Sequence, residues 1–360
     1  MRLVVNSGSS SVKLAVFDAD LREVAQARVT EIGTGGPADH VAAFGIGFER
    51  LAQTGVTLAD LEAAGHRVVH GGATLTQTCR VTAQVEAQIA ACIPLAPLHN
   101  PAALEGIRAL RRLAPDLPQY VAFDTAFHAT NPEVAVSYAL PAAERARGLR
   151  RYGFHGLSYA AVVRKVQEIS GNALPKRLLS FHLGNGCSIA AIEGGRSVAT
   201  TMGYSPLDGL TMGTRAGALD GNAVLDLAAR HGVERAGHLL NRESGLLALG
   251  GHSDMRALHG AGTPEARFAV AHFCYWALRH AGSMVAAMGG VDAITFTGGI
   301  GEKDCTVRSK ILNGLAFMGV VMDGDANMQH APVLQSPASR VAIWIIPAEE
   351  ERQIAMEMRS

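Results

Sequence analysis

The chain has 360 residues, 48% of them hydrophobic and 18% charged, and its 32 Lys and Arg balance its 32 Asp and Glu. This hydrophobic fraction excludes a disordered protein, and the length is enough for about two domains. Zero net charge gives no electrostatic reason to bind nucleic acid or an anionic membrane. The 40 glycines exceed the roughly 25 expected from average usage and indicate many turns with special backbone angles.

The first half of the chain alternates strand and helix patterns. The apolar run 3–5, the polar turn 6–11 and the apolar run 12–17 predict a hairpin closed by a Gly/Ser loop. Helices are predicted over 38–53, 58–64 and 81–92, and from Pro101 onward. Strands are predicted over 66–70 and 120–123, the second ending at Asp124.

The second half opens on the same plan, with a strand over 178–183, a turn at 184–186 and strands over 187–192 and 197–201. The similarity to residues 3–18 predicts a weak internal duplication. Helices over 219–230, 263–288 and 303–314, strands over 291–296 and 340–346, and a last helix from about Glu349 follow. This alternation predicts an α/β fold with two similar lobes and a cleft between them.

The cysteines and the apolar stretches bear on location. The five cysteines lie at least 13 residues apart, so no Cys-x-x-Cys motif exists, and we expect reduced thiols in the cytoplasm. The first residues lack the apolar run of a signal peptide. The stretch 268–290 contains His272, Arg279 and His280, which predicts a buried or amphipathic helix and not a membrane span.

Turns of small residues follow strands at 6–11, 184–186 and 298–301. Adjacent N–H groups in such turns can hold an anion, although each turn alone is better explained by ordinary hairpin chemistry. Three of them beside basic residues favour phosphate handling. The P-loop, the dinucleotide-binding glycine motif and the protein-kinase catalytic loop are all missing from the sequence.

Eight motifs resemble, in order, the signatures of the acetate kinase family. They are NSGSSSVK at 6–13, HRVVHGG at 66–72, PLHNP at 97–101, FDTAFH at 123–128, RYGFHG at 151–156, HLGNG at 182–186, the stretch 202–215, and TGGIGE at 297–302. The resemblance implies two duplicated ribonuclease-H-like lobes of the actin, heat-shock-protein-70 and sugar-kinase superfamily with an interdomain cleft. The N-terminal lobe would be 1–128 plus about 349–360, and the nucleotide-binding, dimerising C-terminal lobe 129–348.

The activity that the resemblance implies is that of a phosphotransferase with a carboxyl acceptor. Acetate and ATP would give acetyl phosphate and ADP reversibly by direct in-line transfer, with Mg²⁺, or Mn²⁺ as a substitute, in a homodimer without nucleic-acid or membrane partners. The alternatives are a propionate or broader short-chain fatty-acid kinase, a diphosphate-dependent variant, and a non-catalytic nucleotide-binding module of the same fold.

The resemblance assigns catalysis to Arg67, Asp124, His155 and Arg215. An arginine in an apolar strand is costly unless it is paired, and a guanidinium fork matches two oxygens of a transferring phosphoryl group. Asp124 could instead cap the segment after its strand. By resemblance, His155 would hydrogen-bond the phosphoryl in flight.

The resemblance links Asn6, Asp124 and Glu350 to the metal, with Asn6 and Glu350 as the metal-binding residues. Mg²⁺ prefers one or two carboxylates plus phosphate and water. The run of three glutamates at 349–351 leaves the register open by one residue. The acyl group is assigned to Arg67 and an apolar pocket of Val69, Leu98, Phe154 and Pro206. A valine at 69 favours acetate, and a smaller residue there would make room for propionate.

Nucleotide binding is assigned to two groups of residues, one at the small-residue turns and one in two adenosine loops. They are Lys13, His182, Gly184, Asn185, Gly186, Asp254, Met255, Arg256, Gly299, Ile300, Gly301 and Glu302. His99 is as well explained by a structural role, and His66, His70 and His128 are predicted to be structural. The sequence departs from the family pattern at Lys303, where asparagine is usual, at Leu157 and Tyr159, and in a shortened segment 13–67.

Overall fold

The structure is a computed structural model that describes residues 1–97, 99–171 and 173–358. It has two compact units. The first comprises Met1–Ala129, Gly156–Ala161 and the described residues from Glu349 onward, and the second comprises Thr130–His155 and Val162–Ala348. The stretch 156–161, expected in the C-terminal lobe, packs with the first unit.

A six-stranded sheet forms the centre of the first unit. Its strands are β1 (Arg2–Ser7), β2 (Ser11–Phe17), β3 (Glu23–Thr30), β4 (Ala63–Val68), β5 (Cys79–Arg80) and β6 (Gln119–Phe123), in the spatial order β3-β2-β1-β4-β6-β5. β1, β2 and β3 pair antiparallel, whereas β1, β4 and β6 run parallel. The parallel strands bring the carboxyl ends of β4 and β6 to one edge.

Helices cover both faces of this sheet. They are α1 (His40–Ala52), α2 (Ala83–Ala91) and α3 (Asn100–Leu113), with α15 (Glu350–Glu357) on the other side. Leu3, Leu14 and Phe44 belong to one buried cluster, and Val4 packs with Ile354 of α15 in another. Burial on both faces explains why β1 is continuously apolar and does not alternate.

The sheet of the second unit repeats the strand order of the first. β7 (Arg177–Leu183), β8 (Cys187–Glu193), β9 (Arg196–Thr200), β10 (Ala293–Thr297) and β11 (Ala342–Ile345) lie in the order β11-β10-β7-β8-β9. Three antiparallel strands are again followed by two parallel ones, so β7 corresponds to β1 and β10 to β4. This agreement supports the predicted duplication.

The remaining helices are α4 (Glu133–Val136), α5 (Ala142–Ala146), α6 (Gly156–Ile169), α7 (Gly221–His231), α8 (Val233–Arg242), α9 (Gly245–Gly250), α10 (Met255–Ala261), α11 (Pro264–Met288), α12 (Gly298–Lys303), α13 (Cys305–Gly314) and α14 (Gly324–Met328). α11 begins after the Thr263 cap, with Pro264 in its first turn, and ends at Gly289 in the left-handed region. Among the described residues, no helix is both long and apolar enough to cross a membrane.

Three element predictions were wrong. The helix expected over 58–64 is a single 3-10 turn, Leu58–Asp60, because Ala63 and Ala64 already pair with β1. The turn expected at 298–301 opens α12. The helix expected over 303–314 is interrupted at Asp304, whose side chain caps α13 by accepting from the Val307 amide. Strand β3 was not predicted.

Candidate active site

Arg67 and Asp124 form a bidentate ion pair at the carboxyl ends of two neighbouring strands. Arg67 lies in β4 and Asp124 directly follows β6, and these strands pair in parallel register. Arg67 Nε donates to Asp124 Oδ1 at 3.0 Å and Nη2 donates to Oδ2 at 2.7 Å. The side chain of Asp124 is buried. Both of its carboxylate oxygens therefore hold the guanidinium in one orientation.

The environment shifts the pKa of both partners. Burial on its own would lower the pKa of Arg67, but the charges of Asp124 and Glu350 outweigh it and raise the pKa above its usual value. Burial raises the pKa of Asp124, and the Arg67 charge and hydrogen bond oppose that rise. Arg67 therefore remains a fixed cation beside the edge of the sheet.

The three consecutive glutamates face three different cations. Glu349 Oε2 lies 3.0 Å from Arg352 Nη1, Glu350 Oε2 lies 3.8 Å from Arg67 Nη1, and Glu351 Oε1 lies 2.5 Å from Lys13 Nζ. Among the three, Glu350 is the one that the structure brings to Arg67. Glu350 is therefore the neighbour of the ion pair, and its association with a metal stays a prediction.

The first small-residue turn closes the β1–β2 hairpin. Asn6 lies opposite Lys13 in the ladder, and the amide of Gly8 donates to the Ser11 carbonyl at 2.7 Å. Asn6 is half-buried at the end of β1, in the same sheet as Arg67. Lys13 is held by Glu351, so its ammonium group is anchored near the start of α15.

Of the residues assigned to the acyl pocket, the first unit contains two. Val69 is half-buried immediately after β4, and Leu98 lies outside the described residues. Asn100, for which no role was predicted, holds the backbone that follows Val69. Asn100 accepts from the His70 amide at 3.1 Å and donates to the His70 carbonyl at 3.0 Å. This reciprocal pair fixes the loop that follows Arg67 and Val69.

In the second unit, His155 and His182 are brought into contact. Their rings stack with centroids 4.0 Å apart, and His155 Nδ1 lies 2.9 Å from Ser188 Oγ. His155 has a left-handed backbone, with φ of 59°, at the start of α6. A non-glycine residue in this region is uncommon and often marks a functional position.

Arg215 borders the turn that contains Gly186. A Cβ atom built on Gly186 would lie 3.3 Å from His155 Nε2 and 3.5 Å from Arg215 Nη1. Arg215 Nη1 donates to the Pro206 carbonyl at 3.0 Å, which brings two predicted site residues together. Burial lowers the pKa of Arg215, and among the described residues no carboxylate lies within ion-pair distance of it. Its positive charge is therefore available to an anion.

The remaining predicted nucleotide residues form three local structures in the second unit. The Gly184 amide donates to the Gly186 carbonyl at 3.1 Å, and the Gly213 amide donates to the Asn185 carbonyl at 3.1 Å. Asp254 caps α10 and pairs with the exposed Arg256, whereas Met255 is buried. These contacts hold the turn and the start of α10 in defined shapes.

Helix α12 contains Gly299, Ile300, Gly301 and Glu302. Glu302 Oε1 accepts from the Gly298 and Ala348 amides, both at 3.0 Å. Arg308, which is buried, donates to the carbonyls of Gly301 and Glu302 at 2.9 Å each. Arg308 was not predicted, and a single arginine in a mixed helix carries no sequence signal of burial.

The donor set near Arg67 fits a hydrated divalent cation better than an enclosed one. Within the described ranges, no group of three His, Cys, Asp or Glu side chains could surround a metal ion. Both carboxylate oxygens of Asp124 accept hydrogen bonds from Arg67. The amide oxygen of Asn6 and the carboxylate of Glu350 are then the side-chain groups proposed as metal ligands. Mg²⁺ ordinarily keeps several waters and takes one or two carboxylates plus substrate phosphates. The residues present are compatible with that mode of binding.

Comparison with known proteins places these features in a family. The model of the acetokinase family matches residues 1–356. The acetate kinase of Leifsonia xyli is 40% identical over 385 residues, covering 99% of this chain and 97% of that protein. The crystal structure of Porphyromonas gingivalis acetate kinase superposes with a TM-score of 0.92 at 36% identity, covering 99% of this chain and 98% of that one.

A propionate kinase is also among the similar structures. The enzyme of Francisella tularensis superposes with a TM-score of 0.94 at 34% identity, covering 99% of this chain and 98% of that one. The two sheets of equivalent strand order confirm the predicted α/β architecture of two similar lobes. Because the family model matches residues 1–356, the chain belongs to the acetokinase family.

Proposed function

We propose that the protein transfers the γ-phosphoryl group of ATP to acetate, reversibly, giving acetyl phosphate and ADP. Support comes from the family and from relatives named acetate kinase at about 40% identity. The observation that carries the proposal is the charge arrangement. Arg67 is fixed by Asp124, while Arg215 has its charge available beside His155 and Gly186.

The chemistry needs no general base on the protein. A carboxyl group with a pKa near 4 to 5 is already ionised at pH 7. One acetate oxygen forms a bond to the γ-phosphorus, the bond from that phosphorus to the bridging oxygen breaks, and ADP leaves with the electron pair. We propose that Arg67, Arg215 and His155 balance the charge on the equatorial oxygens of the transferring group.

For the metal we propose Mg²⁺ associated with Asn6 and Glu350, with Mn²⁺ as a substitute. When bound with the nucleotide, it would neutralise phosphate charge and help orient the γ-phosphoryl group. Glu350, at the first residue of α15, is positioned by its helix and by Arg67. Lys13, His182, the 184–186 turn, Asp254–Arg256 and α12 are proposed to bind the nucleotide.

A hydroxamate assay for acetyl phosphate tests the activity directly. Purified protein with ATP, Mg²⁺ and acetate is expected to give acetyl hydroxamate, and omission of ATP is expected to abolish it. Replacing ATP by inorganic diphosphate tests the donor, a question that Lys303 leaves open. Folded protein that forms no acyl phosphate from any short carboxylate would refute the proposal and favour a nucleotide-binding module.

A propionate kinase is the second candidate, and the similarity to the Francisella enzyme favours keeping it. One CH₂ group is worth only about 0.8 kcal/mol of burial, so the preference between acetate and propionate is about fourfold at most on that ground. The values of kcat/KM for acetate, propionate and butyrate decide between the two. Val69→Ala is expected to shift the ratio toward propionate if Val69, Phe154 and Pro206 line the acyl pocket.

We also propose a homodimer formed through the second unit. Phe268 and Tyr275 are 57% and 61% exposed and lie seven residues apart on α11, hence on the same face of that helix. Large aromatic side chains exposed together are typical of protein interfaces. Sedimentation of the wild type and of a Phe268→Asp/Tyr275→Asp variant tests this, with monomeric wild type as the contradicting result.

We propose a cytoplasmic location, which the five free thiols support.

A further inference from the structure

Three side chains of the second unit form one contiguous set beside the 184–186 turn. His182 lies directly opposite Ser188 in the β7–β8 ladder, so both side chains emerge on the same face of the hairpin. The ring of His155 stacks on that of His182, and its Nδ1 lies 2.9 Å from Ser188 Oγ. The imidazole of His155 is therefore held both at one face and at one nitrogen.

The other ring nitrogen of His155 borders a small space above Gly186. His155 Nε2 and Arg215 Nη1 would both lie within 3.5 Å of a Cβ atom at Gly186. Because glycine has no side chain, an oxygen of a phosphate can occupy that space. His155 contributes a hydrogen bond to such an oxygen only if Nε2 carries a proton.

The proton on Nε2 is not guaranteed by the chemistry of histidine alone. A neutral imidazole carries one N–H, which can sit on either nitrogen, and the partner of the other nitrogen selects the tautomer. Protonating both nitrogens would place a second positive charge beside Arg215, which has no carboxylate at ion-pair distance within the described ranges. A hydroxyl that donates to Nδ1 leaves the proton on Nε2.

We propose that Ser188 is a positioning residue that donates its hydroxyl proton to His155 Nδ1 and thereby keeps the ring proton on Nε2. Ser188 is fully buried, so no solvent water replaces its hydroxyl when the residue is changed. The inference deepens the proposed function and rests on the role assigned there to His155. It adds a residue that acts through His155 and not by touching substrate.

The first test compares Ser188→Ala with Ser188→Thr and with a matched control. Ser188→Ala is expected to lower kcat about tenfold while the KM values for ATP and acetate change by less than about twofold. Ser188→Thr keeps the hydroxyl and is expected to recover most of the loss. Ser180→Ala is the control, because Ser180 is equally buried in β7 and contacts the Thr295 hydroxyl at 2.8 Å. Its kcat is expected to stay at the wild-type value.

The second test reads the tautomer without turnover. Nitrogen NMR of histidine-labelled protein, with His155 assigned through a His155→Gln variant, is expected to show a protonated Nε2 in the wild type. In Ser188→Ala we expect a mixture of tautomers. An unchanged Nε2–H signal in Ser188→Ala, with kcat within about twofold of wild type, would overturn the inference.

A double-mutant cycle separates positioning from a purely structural effect. In a His155→Gln background, Ser188→Ala is expected to cost nothing further, because the residue on which it acts is gone. An equal loss in both backgrounds would contradict the inference. If wild-type protein makes no acyl phosphate, the proposed function fails, whereas the NMR experiment still decides the role of Ser188.

Discussion

Arg67 grips both oxygens of the Asp124 carboxylate, although the two residues lie 57 positions apart and on different strands. The parallel pairing of β4 with β6 brings them together at the edge of the sheet. The pair leaves Arg67 Nη1 directed toward Glu350 at 3.8 Å. Removing either partner leaves the charge of the other without its hydrogen-bonded partner, so substitutions here are expected to lower stability.

Asp124→Asn is expected to lower kcat by about 10²-fold and to destabilise the first unit by about 3 kcal/mol, because it removes the charge that holds the Arg67 guanidinium by two hydrogen bonds. The measurements are kcat in the hydroxamate assay and the urea midpoint. Asp292→Asn is a suitable control, since Asp292 forms a similar bidentate pair with Arg177, at 3.0 and 2.6 Å, outside the proposed site. A kcat for Asp124→Asn as high as that of this control would show that Asp124 is only structural.

Arg215→Ala is expected to lower kcat by about 10³-fold, the scale of an arginine that stabilises a transferring phosphoryl group. Arg215→Lys restores the charge but not the planar fork, so we expect only partial recovery. Arg235→Ala removes a surface arginine that pairs with Glu243 and serves as the control. Near-normal turnover in Arg215→Ala would remove this residue from catalysis.

Gly186→Ala is expected to lower kcat/KM for ATP by about 10²-fold, because the added methyl group occupies the space bordered by His155 and Arg215. The thermal midpoint should change little. Gly237→Ala, in helix α8 with no atom near its added Cβ, provides the control for the substitution itself. Equal activity in the two variants would mean that phosphate does not bind above Gly186.

Glu350→Gln is expected to raise the Mg²⁺ concentration needed for half-maximal rate by about tenfold, since it removes a carboxylate from the donor set. Glu351→Gln, whose parent pairs with Lys13, should affect ATP binding more than the Mg²⁺ requirement. Titration of Mg²⁺ at fixed ATP measures both. The assignment of Glu350 to the metal fails if the two variants show the same Mg²⁺ dependence.

His66 predicts a pH dependence of stability. Burial lowers the pKa of His66 to about 4, so between pH 4 and 6.5 the unfolded chain binds more protons than the folded one. Titration of His66 therefore does not change the free energy of unfolding above pH 6.5, and it lowers that free energy by about 3 kcal/mol as the pH falls from 6.5 toward 4. His66→Gln is expected to make the urea midpoint less dependent on pH over this range. His231→Gln changes an exposed histidine and is expected to leave the pH dependence of the urea midpoint unchanged. A slope unaffected by His66→Gln would contradict this.

The sequence predicts a structural feature well when residues close to it in the chain determine that feature. The 184–186 turn, the apolar strands and the helix over 263–288 are set by neighbouring residues, and they were predicted. The opposition of His182 and Ser188 follows from that turn and could have been derived from it. The burial of Arg308 depends on Asn327 and on carbonyls elsewhere in the chain, which no local pattern reveals.

The errors have the same origin. Three glycines within 298–301 favour a turn by propensity, but Glu302 accepts from the Gly298 amide and the segment is helical. Residues 63 and 64 have helix propensity, yet pairing with β1 makes them part of a strand. The pairing of Arg67 with Asp124 was not predicted, because strand order in a sheet is a property of the whole unit.

The return of α15 to the first sheet has a consequence for synthesis. Gly65 has no side chain where Ile354 and Met358 approach it, so the last described helix fills a face of the sheet that the earliest residues build. On a ribosome, residues 130–348 are therefore all synthesised before that face can be closed. The part of the protein made first is the part completed last, and its uncovered apolar surface must stay soluble through most of translation.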